Sequence, residues 1–142
     1  MKVVQLIRVG EMNQLTDDFF RQKLTTQQYM VLRQGVTEAP FSGQFDDFWQ
    51  TGKYYCAACH ILLFQSDTKY DAGCGWPSFW QAVDDSKIKL VKDKSHFMIR
   101  TEVRCRNCNS HLGHLFDDGP QDKGGARYCI NSSALDFQHD EK

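Results

Sequence analysis

Residues 56–60 read Cys-Ala-Ala-Cys-His, and residues 105–108 read Cys-Arg-Asn-Cys. How these two stretches are read decides the fold. Cys-x-x-Cys-His by itself fits a c-type haem attachment, a redox dithiol, or half of a tetrahedral zinc site. The second unit shifts the balance. Two such units supply four thiolates, and a structural zinc ion takes a closed tetrahedron of soft ligands. Each two-residue spacer lets a chain reversal point both sulfurs at one ion. Cys56, Cys59, Cys105 and Cys108 are therefore expected to hold one zinc ion, against the alternatives of two separate dithiols or buried ordinary cysteines. Such a site contributes on the order of 10 kcal/mol to folding in a small β-rich domain. His60 then has no metal role and is expected to be a surface or core residue.

Composition narrows the setting. The chain has 142 residues, enough for one domain with its own core. Charged residues make up 25% and the net charge is −1, so nothing overall draws the chain to nucleic acid or to an anionic membrane. The first residues, MKVVQLIRVGEMNQL, have a short apolar run broken by Gln5 and Arg8 and lack the pattern of a signal peptide. No stretch is long and apolar enough to span a bilayer. A cytoplasmic protein is expected, in which cysteines serve as metal ligands or catalysts more often than as structural disulfides. This weighs against haem, although Met30 or Met98 would complete a ligand pair with His60 by count.

Outside the cysteine units the first third reads as helical. Thr16 is placed to cap a helix whose first turn holds Asp17 and Asp18, with Phe20 and Leu24 on one face. Thr25 and Gln28 fit a capping box for a second helix, Tyr29 and Leu32 share a face, and Gly35 marks its stop. The segment TEAPFSGQFDDFW carries three Phe and one Trp and is expected to wrap the core. From residue 53 the pattern is β. In HFMIRTEVRC, Phe97, Ile99, Val103 and Cys105 alternate with His96, Arg100, Glu102 and Arg104, as in a half-buried strand. RYCIN, 127–131, is a second strand; DAGCGWP and DDGPQDKGG are loops. The basic run from Lys87 to Arg106 reads as a solvated strand face. Residues 1–15 read as an extension, 16–137 as a single domain and 138–142 as a mobile tail.

Two cysteines remain. On an extended RYCIN, Arg127, Cys129 and Asn131 face the same way, so Arg127 would favour a Cys129 thiolate, as a nucleophile requires. The alternative is a small buried hydrophobe. Cys74 lies between glycines in a loop flexible enough to approach another sulfur, or is a free surface thiol. His111 and His114, three apart before Phe116, supply acid–base or hydrogen-bonding groups, or are polar loop residues. Trp76 forms a pocket wall or belongs to the core. A thiol, histidines and aromatics outside a complete metal site together point to an active site on a metal-stapled scaffold.

These residues carry a resemblance. LTTQQYMVLRQGVTEAPFSG, YYCAACHILLF, TKYDAGCGWPSFW, RTEVRCRNCNSHLGHLFDDGP and RYCINSSAL closely resemble the methionine-R-sulfoxide reductase B family, over about residues 24–135. The resemblance implies a mainly β fold: two small antiparallel sheets with short N-terminal helices, stapled by the four-cysteine zinc site. It implies that Cys129 is the nucleophile, Cys74 the resolving cysteine, and Cys56, Cys59, Cys105 and Cys108 the zinc ligands. Trp76, His111, His114, Phe116 and Asn131 match positions lining the substrate pocket, and Arg127 and Asp118 match polar supports. The implied reaction returns the R epimer of methionine sulfoxide, in proteins, to methionine through a Cys129 sulfenic acid and a Cys129–Cys74 disulfide. His114 is the candidate hydrogen-bond donor to the sulfoxide oxygen. A thioredoxin-like dithiol protein is the implied reductant and repair of oxidative damage the implied role. The FMI of SHFMIR and the GGA before Arg127 are less usual choices, expected to lie away from the chemistry. The rival reading is a non-enzymatic zinc module that binds protein or nucleic acid; the presence of both Cys74 and Cys129 weighs for the enzyme.

Overall fold

The computed structural model describes residues 17–140. The Thr16 cap and the 1–15 extension lie outside the described residues. Helix α1, Asp17–Lys23, opens on Asp17 and Asp18 and buries Phe20. Helix α2, Thr26–Gln34, is closed at its start by the expected box: Gln28 N donates to Thr25 Oγ1 at 3.1 Å, and Thr25 N donates to Gln28 Oε1 at 3.0 Å. It ends where Gly35 turns left-handed, at φ 72°. Val31 and Leu32 are its buried residues, and Tyr29 lies half-buried beside them.

Nine strands follow. β1 (Gly52–Cys56), β2 (Leu62–Gln65) and β9 (Leu135–His139) form a three-stranded sheet in the order β2-β1-β9. β3 (Lys69–Tyr70), β4 (Ser78–Phe79), β5 (Ile88–Asp93), β6 (Arg100–Cys105), β7 (His111–Phe116) and β8 (Arg127–Ile130) form a six-stranded sheet in the order β3-β4-β8-β7-β6-β5. All the strand pairings are antiparallel, so the mainly β architecture with two sheets and two short helices is the one expected. Aromatic contacts join the sheets: Phe79 stacks on Phe64 at 4.4 Å and meets Tyr54 edge-on at 5.2 Å. All three are fully buried.

Three expectations change in detail. HFMIRTEVRC is a strand only from Arg100 onward. Residues 95–97 form a short 3-10 turn, with Ser95 N donating to Asp93 Oδ1 at 2.9 Å, and Phe97, Met98 and Ile99 are exposed. The alternation there is broken because the chain must reverse between β5 and β6, and an aspartate two residues before a serine starts that turn. In TEAPFSGQFDDFW, Phe45 is buried and Phe48 packs on the core, whereas Phe41 and Trp49 face solvent. The break set between 137 and 138 falls inside β9, where Gln138 pairs with Lys53 and His139 with Gly52. The basic run does form a solvated edge, with Lys89 and Lys92 exposed on β5.

Candidate functional site: a four-cysteine cluster and a two-cysteine cleft

Each Cys-x-x-Cys unit is the turn of a hairpin. Cys56–Cys59 joins β1 to β2 in the small sheet; Cys105–Cys108 joins β6 to β7 in the large one. The turns are built alike. His60 N donates to Cys56 O and Asn109 N to Cys105 O, both at 2.8 Å; Cys56 N donates to Ile61 O and Cys105 N to Ser110 O, both at 2.9 Å. His60 and Asn109 occupy the same left-handed position, at φ 65° and 62°. The histidine of CAACH is thus a turn residue, with its ring stacked 4.4 Å from Tyr55.

The four buried sulfurs lie within 4.8 Å of one another. Cys56 Sγ is 3.6 Å from Cys108 Sγ, and Cys59 Sγ is 3.6 Å from Cys105 Sγ. A tetrahedron with metal–sulfur bonds of about 2.3 Å has edges of about 3.8 Å, so the cluster fits a metal ion of that coordination. It crosses from one sheet to the other. Both helices brace it: Lys23 of α1 donates to the Ala58 carbonyl, and Arg33 of α2 donates to the Cys108 carbonyl at 2.7 Å.

The second constellation lies on the large sheet. Cys74, Trp76, His114, Phe116, Arg127, Cys129 and Asn131 meet around a cleft of about 190 Å³. Cys129 is on β8, between His114 of β7 and Ser78 of β4. Gly113 permits that pairing, because a Cβ there would stand 2.0 Å from the Cys129 carbonyl oxygen. Cys74 comes from the loop before β4, between Gly73 and Gly75, which take φ 69° and 95°. Its sulfur lies 3.3 Å from Ser78 Oγ, and it lines the same cleft as Cys129. All six cysteines are free thiols.

Burial pushes the Cys129 thiol up to about 12, and Cys74 adds to the rise; Arg127 opposes it. The expected influence of Arg127 has the right sign but loses to desolvation. The reason is visible in its partners. Arg127 donates to both oxygens of Asp118, at 2.7 and 3.2 Å, and its guanidinium lies 4.3 Å from the centre of the Phe116 ring. Its charge is shared with a carboxylate that it holds below the ordinary range.

The two histidines occupy one face because of a bulge. β6 and β7 slip register between Val103 and Arg104, so Glu102 pairs with His114 and Arg104 with His111. Leu112 takes up the extra position, and residues three apart point the same way. Each ring then meets a carboxylate. His114 Nε2 lies 2.8 Å from Asp93 Oδ2, and that bond holds Asp93 well below the usual carboxylate range. His111 Nδ1 lies 2.6 Å from Glu102 Oε2. Burial lowers His111 more than Glu102 raises it. Burial also opposes ionisation of Glu102, but hydrogen bonds from Arg104 and His111 outweigh it. Hence neutral His111 donates Nδ1–H to the Glu102 carboxylate. Its Nε2 is buried and meets no hydrogen-bond partner among the described residues.

One residue expected in the pocket lining is not there: His111 stands outside the lining, its ring 5.5 Å from that of His114; Asp118, expected as a polar support, holds Arg127 from outside the cleft. Asn131 lines it, but its amide is engaged, accepting from Glu38 N and donating to Leu112 O, both at 3.0 Å. Thr37, Arg100 and Gly113 complete the lining without having been singled out in the sequence. Glu38 was also missed. It is buried, its carboxylate accepts from Ser132 N and Ser133 N, and its carbonyl accepts from Trp76 Nε1 at 3.0 Å. One residue thus positions a cleft wall and the turn after Cys129. Nothing in local spacing marks it, because its partners are distant in sequence.

Comparison with known proteins agrees with this geometry. The SelR domain model matches residues 24–139. The chain is 52% identical over 122 residues to the peptide methionine sulfoxide reductase MsrB of Hahella chejuensis, covering 86% of this chain and 87% of that one. It is 50% identical over 125 residues to the protein of the same name from Thioalkalivibrio sulfidiphilus, covering 88% and 90%. It is 50% identical over 127 residues to that of Leifsonia xyli, covering 89% and 91%.

Proposed function

The chain belongs to the methionine-R-sulfoxide reductase B family and is an oxidoreductase of the peptide-methionine (R)-S-oxide class, and from that premise we propose how its own residues reduce the sulfoxide. One observation carries the proposal: outside the four-cysteine cluster, two free thiols, Cys74 and Cys129, line one aromatic-walled cleft.

A sulfoxide has a sulfur with partial positive charge and an oxygen with partial negative charge. Trp76 and Phe116 form an apolar wall that prefers the S-methyl group to the oxygen, which fixes which epimer presents its sulfur to Cys129. His114, held at Nε2 by Asp93, is the group placed to hydrogen-bond the oxygen. Cys129 attacks the sulfur. Its thiol proton ends on the departing oxygen, so thiol plus sulfoxide gives sulfenic acid plus thioether, with no outside electron donor in this step. Burial disfavours a free thiolate, so the proton leaves Cys129 as its sulfur attacks. Cys74 then attacks the Cys129 sulfenic acid, giving the Cys129–Cys74 disulfide and water. An external dithiol, of which a thioredoxin-like protein is the natural kind, restores both thiols by exchange. Arg127 and Asn131 in the lining, and Asp118 and His111 outside it, support this set by holding Phe116, the β7–β8 pairing and His114 in place.

For the cluster of Cys56, Cys59, Cys105 and Cys108 we assign zinc. Its tetrahedral spacing and all-sulfur donor set support the assignment, and its role is to tie the sheets together. Free thiols and a thiol-reducing partner suit the cytoplasm, and repair of oxidised methionine in proteins is the role this chemistry would serve there. The test is direct: purified protein, a dithiol, and separated R and S epimers of a peptide methionine sulfoxide. Turnover of the R epimer alone, lost in Cys129→Ser, is expected. A folded, metal-loaded protein that turns over neither epimer would return the chain to the metal-stapled binding module.

A further inference from the structure

We infer that the β5–β6 turn and the groove beside it receive the polypeptide that flanks the oxidised methionine of a protein substrate. The inference rests on the reaction proposed for the cleft and adds a second binding surface to it. Phe97, Met98 and Ile99 are consecutive and exposed, with relative accessibilities of 108%, 50% and 73%. Phe97 and the preceding His96 also sit in the left-handed region, at φ 58° and 56°. A bulky aromatic residue is disfavoured in that conformation, and Phe97 gains no burial from its own chain in return. The fold therefore has no use for this side chain at the turn, whereas a partner arriving from solvent does.

Continuity with the cleft identifies the partner. A groove of about 470 Å³ runs past the ends of β6 and β7. Ile99, Leu115 and Phe116 give it an apolar lining, and Gly124, Gly125 and Ala126 line it without bulky side chains. Arg100 and Phe116 line both the groove and the cleft. A methionine sulfoxide seated in the cleft as part of a chain must continue out of it, and Phe116 and Arg100 form the lip it crosses. Apolar burial against Ile99, Leu115 and Phe116 is non-directional and reads no particular sequence, with Arg100, Thr101 and Asp117 the polar groups of the lining. This suits a substrate whose neighbouring residues vary.

The test compares a decapeptide carrying a central methionine (R)-sulfoxide with the free amino acid sulfoxide, using Ile99→Ser and Phe97→Gly. Either change is expected to raise KM for the peptide about fivefold with little change in kcat, so that the peptide-to-amino-acid ratio of kcat/KM falls by the same factor. Calorimetric binding of the peptide to Cys129→Ser protein should weaken in proportion when Ile99→Ser is added, a readout independent of turnover. Phe97→Gly relieves a left-handed residue, and its Tm is expected at or above that of the parent, which separates lost binding from lost fold. Parental KM ratios in both variants and parental peptide affinity in Ile99→Ser would overturn the groove even if the cleft turns over sulfoxide. Weakened affinity without turnover in the parent would uphold the groove while removing the proposed reaction.

Discussion

Four cysteines of this chain and the other two are the same residue type in two different states. Cys56, Cys59, Cys105 and Cys108 are buried, converge within 4.8 Å and are fixed by paired turn hydrogen bonds. Cys74 and Cys129 are half-buried, come from a glycine-flanked loop and a strand, and face open space beside aromatic rings. Convergence of four buried sulfurs suits them to hold a metal ion. Open space beside a second thiol leaves room for a substrate, which is what the nucleophilic role proposed for Cys129 needs. Strand β7 connects the two regions: it leaves the second knuckle and carries His111, His114 and Phe116 toward the cleft. The cluster is thus the anchor from which the site is hung.

That contrast predicts effects that separate cleanly. The largest is expected from Cys105→Ser. Loss of one ligand from a buried tetrahedral site should release the metal and remove much of a stabilisation on the order of 10 kcal/mol, leaving the chain largely unfolded; bound zinc and the thermal transition, measured together, would check it. A folded variant with full activity and no metal would break the division between anchor and cleft. Cys74→Ser should act in the opposite way. Stability should change by less than about 0.5 kcal/mol, since the residue is a partly exposed loop position. One equivalent of methionine should still form in a single turnover, while multiple turnover with a dithiol protein slows by about 100-fold for want of the internal disulfide. Equal loss in both assays would instead give Cys74 a part in the first step.

The smallest effect concerns pH. Burial raises the Cys129 thiol toward about 12, and only the thiolate is alkylated. In Cys74→Ser protein, where one of the groups that raises it is gone but the burial remains, the iodoacetamide rate at Cys129 should climb by about tenfold per pH unit up to about pH 9 and continue upward past it. A plateau near pH 7 would mean that Arg127 overcomes desolvation once Cys74 is removed. Mass spectrometry of the modified peptide assigns the rate to this sulfur.

Much of this molecule is legible in one dimension. The Thr25 capping box, the Gly35 stop and the two Cys-x-x-Cys turns are set within six residues of chain, where covalent geometry leaves few alternatives. Pairing the knuckles with each other needed only the preference of a soft ion for four thiolates. Alternation in RYCIN was enough to put Arg127, Cys129 and Asn131 on the cleft face. The motifs around Cys74, His114 and Cys129 carried the family by resemblance.

What the tertiary structure decided depends on long-range pairing and on burial. The bulge at Leu112 brings His111 and His114 to one face and gives each its carboxylate, Glu102 and Asp93; a period of two counted along the sequence would separate them. Glu38 braces Trp76 and the turn after Cys129 from more than ninety residues before that turn. The turn at 95–99 interrupts an alternation that looked continuous, leaving Phe97 outside. The Cys129 thiol is governed more by its burial than by the arginine two residues away. Short-range geometry and ligand preference act along the chain and can be read there, whereas desolvation and cross-strand register exist only once distant segments have met.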